Sequence, residues 1–97
     1  GPDGHTASLF PGQDSLTETQ RSCLSVRHPT TGQIRLTLTF PVLNAARHAV
    51  FLLSGAEKAD VLAHALKGDP TLPAARVHPA GGEALWLVDK AASSSLH

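Results

Sequence analysis

His48-Ala49-Val50-Phe51-Leu52-Leu53-Ser54-Gly55-Ala56-Glu57-Lys58-Ala59 runs from a nearly unbroken apolar segment through two small residues into a helical pattern. A short apolar run without alternation predicts a central strand covered on both faces, as in parallel sheets. At five residues, Ala49–Leu53 is far too short to span a bilayer. Ser54-Gly55 supplies the turn, and the helix is predicted from about Ala56 to Lys67. Its apolar stripe is Ala59, Leu62, Ala63 and Leu66, and Gly68 stands where a C-terminal stop belongs. A strand feeding directly into a helix is the unit of an α/β fold.

The flanking segments extend that unit. Residues 69–83 are a Pro/Gly-rich connection, and Ala84–Val88 predicts a last buried strand. Asp89 is placed to cap a short helix through Ala91 and Ala92, ahead of the polar Ser93-Ser94-Ser95 tail. Upstream, Cys23–Arg27 and Ile34–Phe40 flank the turn residues His28-Pro29-Thr30-Thr31-Gly32 and predict an antiparallel hairpin. Alternation in the second strand assigns Ile34, Leu36, Leu38 and Phe40 to the core, leaving Arg35, Thr37 and Thr39 on the other face. Pro41 suits the first turn of a short helix over Pro41–Arg47, and Ser15-Leu16-Thr17-Glu18 matches a capping box. The order strand, helix, strand, helix, strand, helix predicts a layered α/β fold.

Composition narrows the function classes. The chain has 97 residues, 41% of them hydrophobic, with eight acidic and eight basic side chains. Zero net charge and the absence of any Lys/Arg cluster argue against a nucleic-acid or membrane-surface partner, since both need a basic patch. Cys23 is alone, so no internal disulfide forms; a small buried or half-buried strand residue is expected, in a reducing, cytoplasmic compartment. The opening residues carry no signal-peptide pattern, and none is expected. It starts without methionine, directly in a glycine-proline loop, and is expected to be part of a longer domain.

Three places carry chemistry-bearing residues. Gly1-Pro2-Asp3-Gly4-His5 puts a carboxylate and an imidazole one glycine apart, and the glycines allow a sharp turn and close approach to a ligand. Such a histidine accepts protons near neutral pH, and the carboxylate can orient it; a loop Asp/His pair without a function has the same spacing. At Ser54-Gly55-Ala56-Glu57-Lys58, free N–H groups at a helix start favour an anion, and a phosphate would reconcile Lys58 with its place in the first turn. The alternative is a solvated lysine paired with Glu57 or Asp60. Arg35 is either a bidentate phosphate partner or an exposed residue at a sheet edge, while Trp86 reads as core packing in preference to a ligand platform. His28, His48, His64, His78 and His97 stand singly, so no metal site is expected.

The run Gly1-Pro2-Asp3-Gly4-His5-Thr6-Ala7-Ser8-Leu9-Phe10-Pro11-Gly12 resembles the signature of the 6-phosphogluconolactonase family. Arg35–Thr39 with Pro41–Arg47, Ser54–Ala59, Leu72–Ala75 and Leu85–Ala92 follow in the family's order. The resemblance implies a Rossmann-like layered α/β/α fold with a mixed, mainly parallel sheet, of which residues 1–97 form the C-terminal portion of a single domain. Complete domains of this class run roughly two to three times the length, and the implied N-terminal half, with its phosphate loop, is missing here.

By the same resemblance, His5 is the general base in hydrolysis of 6-phospho-D-glucono-1,5-lactone, and Asp3 supports it. Lys58 and Arg35 hold the phosphate, and Gly4, Ser54 and Gly55 form the substrate loops. No cofactor is implied. The implied partner is a small sugar-phosphate lactone, with fusion or coupling to a glucose-6-phosphate dehydrogenase as a further option, and the chain alone is expected to have little activity. Two rivals share the fold. A glucosamine-6-phosphate deaminase/isomerase typically carries an acid after its Asp-Gly-His run, where this chain reads Leu9-Phe10-Pro11-Gly12. A sugar-phosphate-sensing module would need no base.

Overall fold

In the computed structural model, which describes residues 1–96, backbone pairing resolves into two two-stranded sheets. Strands β1 (Cys23–Arg27) and β2 (Ile34–Leu38) pair antiparallel, from Cys23 opposite Leu38 to Arg27 opposite Ile34. Their turn closes through the His28 N–H to the Gln33 carbonyl at 2.8 Å. A short helix, α1 (Phe40–Leu43), leads to β3 (His48–Leu53), and β3 runs parallel to β4 (Glu83–Val88), with Leu53 opposite Val88. Helix α2 (Ala59–Leu66) lies in the crossover between them, as a parallel pair requires. The α/β class is the one the sequence predicts. No described helix is long and apolar enough to cross a membrane.

The core gathers where loops meet strands. Leu9, Phe40 and Val77 are buried together, with Leu16, Leu43, Ala49 and Phe51 packed against them. Asn44 ties α1 to the later connection: its side chain accepts from the His78 N–H at 2.7 Å and donates to the Arg76 carbonyl at 3.3 Å. Part of that connection is a 3-10 turn, Pro73–Arg76, which packs on α2.

Several expectations are corrected. The alternation of β2 is real, but its faces are reversed: Thr37 and Thr39 are buried, while Ile34, Leu36 and Leu38 are 57, 75 and 47% exposed. The cause is the glycine-rich loop, which occupies the threonine side; Thr37 Oγ1 accepts from the Ser8 N–H, and Thr39 Oγ1 donates to the Arg21 carbonyl. Strands β3 and β4 are covered on one face only, so Val50, Leu52, Leu85 and Leu87 are exposed. Helix α2 begins at Ala59 after a 3-10 turn over Ala56–Lys58. It leans toward the Pro73–Arg76 turn, burying Ala65 and leaving Leu66 outside.

Smaller corrections follow the same logic. Helix α1 spans Phe40–Leu43 and does not continue to Arg47. Cys23 is exposed, because its pairing partner Leu38 lies on the open face. The capping box does not form: Ser15 is buried with its hydroxyl unpartnered among the described residues, and Glu18 folds onto the N–H groups of Thr19, Gln20 and Arg21. Beyond β4 the chain makes hydrogen-bonded turns in place of a helix, although Asp89 does accept from the Ala92 N–H at 2.8 Å.

Candidate active site

The glycine-rich loop is pinned on three sides. Gly4 is buried at φ +76°, a conformation strained for other residues, and a Cβ there would lie 2.7 Å from Leu72 Cδ2. Its carbonyl accepts from the Ala74 N–H at 2.9 Å, which anchors the loop to the Pro73–Arg76 turn. Thr6 and Leu9 bond reciprocally across a tight turn that holds Ala7 at φ +51°. Ser8 donates to Thr37 on β2 at 3.0 Å, and Leu9 and Phe10 are sealed in the interior.

His5 therefore stands on a backbone with little freedom, and its side chain is oriented as well. Asp3 Oδ1 lies 2.7 Å from His5 Nδ1 and also accepts from the His5 N–H at 3.2 Å. Burial pushes the Asp3 carboxyl up, but the hydrogen bonds and charge of His5 outweigh that and hold it below its usual value. An ionised Asp3 keeps the proton on Nδ1, which leaves Nε2 as the basic nitrogen. The Phe10 ring packs against the imidazole with centroids 4.8 Å apart, and His28 meets Phe10 edge-on at 5.0 Å. His28 Nδ1 accepts from the Thr30 and Thr31 N–H groups, so its own orientation is set by the hairpin turn.

His5 and Lys58 share one cavity of about 180 Å³, whose lining also includes Gly4, Val61, Leu62 and Trp86. Trp86 stacks on Phe51 at 3.9 Å and so serves both packing and the cavity wall. Among the described residues no carboxylate pairs with Lys58, so the expected alternative of a pair with Glu57 or Asp60 is not realised. The arrangement combines an oriented base, an unpaired cation and an apolar wall.

The remaining predicted residues fall outside this cluster. Arg35 does not line the cavity; it lies on the half-buried side of β2 with its Nε donating to Gln33 at 3.2 Å. Ser54 is exposed, and the Gly55 N–H donates to the Asp89 carboxylate, so it is not a free anion donor. No group of three or more potential metal ligands occurs among the described residues; His97 lies outside them. Sequence reasoning missed Thr37, Phe10, His28 and Asp89 as supports of the site. Only Asp89, directly after a predicted strand, had a readable signal, and its place beside the Ser54-Gly55 turn follows from the parallel register of β3 and β4.

Comparison with known proteins adds the family. The profile described as glucosamine-6-phosphate isomerases/6-phosphogluconolactonase matches residues 1–86. A rat protein named 6-phosphogluconolactonase is 44% identical over 99% of this chain and 38% of its own length. The crystal structure of the devB protein superposes with a TM-score of 0.89 at 36% identity, over 100% of this chain and 42% of that one. For 6-phosphogluconolactonase from Leishmania guyanensis the TM-score is 0.85 at 28% identity, over 100% and 39%. The chain thus spans about two fifths of the length of these relatives. It belongs to the glucosamine-6-phosphate isomerase/6-phosphogluconolactonase family.

Proposed function

We propose that this chain is the C-terminal portion of a 6-phosphogluconolactonase domain, a carboxylic ester hydrolase acting on 6-phospho-D-glucono-1,5-lactone. The observation that carries this reading is the oriented His5 in the same cavity as the unpaired Lys58. His5 Nε2 takes a proton from water as the water oxygen attacks the lactone carbonyl. When the tetrahedral intermediate collapses, the bond to the ring oxygen breaks and that oxygen receives the proton from His5, giving 6-phosphogluconate. Asp3 favours the transiently charged imidazole, and Lys58 holds the phosphate. Gly4 lets the loop approach the substrate. The phosphate role of Arg35 and the substrate-loop roles of Ser54 and Gly55 rest on the sequence reading.

The lactonase names among the relatives favour this reading over the deaminase/isomerase, as does the lack of an acid in Leu9-Phe10-Pro11-Gly12. The intact Asp3–His5 pair favours an enzyme over a sensing module. Ester hydrolysis needs no cofactor. Its substrate is the kind of lactone made by a dehydrogenase acting on a sugar phosphate, so coupling to glucose-6-phosphate dehydrogenase in the cytoplasm belongs to the same proposal.

The remainder of the domain is expected to complete the pocket, so the 97-residue chain alone should hydrolyse the lactone little faster than the spontaneous rate. Joined behind the unmatched N-terminal portion of the rat relative, it should become active. His5→Asn should then abolish turnover, and Lys58→Ala should raise KM at least about tenfold, the scale of one lost charge-assisted contact. A folded chimera with no hydrolysis, or one indifferent to His5→Asn, would overturn the proposal.

A further inference from the structure

The predicted anion turn has an unexpected occupant. Parallel pairing sets Leu53 opposite Val88, so the C-terminal ends of β3 and β4 lie side by side and Asp89 falls next to Ser54. Both Asp89 carboxylate oxygens lie 3.2 Å from the Gly55 nitrogen and accept its N–H. Gly55 sits at φ +97°, and a glycine there does little to determine its own conformation, so an outside contact must set the direction of the turn. The next link is internal, from the Lys58 N–H to the Gly55 carbonyl at 3.2 Å.

Asp89 is itself held. It accepts from the Ala92 N–H at 2.8 Å, its carbonyl accepts from the Ser93 N–H at 3.2 Å, and Ser95 Oγ donates to Asp60 on the first turn of α2. Ala92 is fully buried beneath this C-terminal turn.

We propose that Asp89 is a positioning residue for the phosphate end of the site: by clamping the Gly55 amide to the end of β4, it fixes the Ser54–Lys58 turn that presents Lys58 to the cavity. Asp89 takes no part in the chemistry and touches no substrate. It uses up one N–H that would otherwise be open to an anion, which leaves phosphate selection to Lys58. Among the described residues no ion pair joins Asp89 to Lys58. The ligand named below rests on the lactonase reading; the clamp does not.

The test follows hydrogen exchange at Gly55 and the side-chain nitrogen signal of Lys58 in the isotopically labelled 97-residue chain, and titrates 6-phosphogluconate into the chimera with the N-terminal portion of the rat relative. Asp89→Ala should speed Gly55 exchange about tenfold, shift the Lys58 signal and weaken binding about tenfold, on the scale of a lost charge-assisted bond. The amides of β1 and β2 should stay unchanged. Asp89→Asn, which keeps an oxygen acceptor, should restore all three readouts. If Asp89→Ala fails to fold, Asp89→Ser carries the test, since its hydroxyl can still cap Ala92 but is too short for Gly55.

Unchanged Gly55 and Lys58 signals would overturn the proposal. So would equal tightening of binding by Asp89→Ala and Asp89→Asn, because Asp89 would then act only as a repelling charge. Responsive Gly55 and Lys58 signals with no 6-phosphogluconate binding by any form would leave the clamp standing and count against the lactonase reading.

Discussion

At His5, two hydrogen bonds to one carboxylate decide which nitrogen is basic. The stabilisation has a defined sign. Because Asp3 is held below its usual value, its contribution is fully present above the ordinary carboxylate range and is lost as pH falls through the lowered value. The His5 amide and ring signals should therefore titrate together at that lowered midpoint in a proton NMR series. Asp3→Asn should erase the acid transition. An acid transition that persisted in Asp3→Asn would assign it to another group. The Asp-Gly-His spacing suggested this pair from the sequence, but it could not show the 2.7 Å contact or the packing of Phe10 and His28 behind it. Those depend on how the hairpin turn meets the loop, which no local pattern encodes.

At the scale of elements, β2 shows why alternation fixes a period and not a direction. Leu36 looks like core and Thr37 like surface, yet Leu36 is 75% exposed and Thr37 is 3% exposed. The loop lying against this strand brings a buried N–H that needs an acceptor, and the polar face supplies it. Thr37→Val keeps the shape but leaves the Ser8 N–H buried and unpaired. It should cost about 1–3 kcal/mol in urea unfolding, with faster exchange at Ser8, whereas Thr37→Ser should recover most of the loss. Equal stability for Thr37→Val and the parent would show that the loop does not depend on this bond. The strands themselves, and the helix between β3 and β4, are legible because they rest on local patterns; α2 starts three residues later than its pattern predicts because Ala56–Lys58 winds as a 3-10 turn before the α-helix begins.

At the scale of the molecule, the two strand pairs leave their apolar outer faces open. Val50, Leu52, Leu85 and Leu87 sit on one side of the parallel pair at 56, 81, 48 and 46% exposure. Two-stranded sheets are marginal alone, parallel ones are normally covered on both faces, and a patch of this kind marks an interaction surface. The expectation that β3 is covered on both faces does not hold for the described residues; under the proposed reading of the chain as part of a longer domain, further segments would cover the open face, and the relatives do extend well beyond the matched region. The isolated chain should self-associate at micromolar concentrations in sedimentation velocity. Leu52→Glu with Leu87→Glu should make it monomeric while leaving the His5 and Lys58 signals in place. Joined to the N-terminal portion of the rat relative, the same double variant should fail to yield a folded, active protein, because the charges would lie against the incoming segment. A monomeric parent chain, or an active chimera carrying both glutamates, would show that this face is not an interaction surface for the rest of the proposed domain.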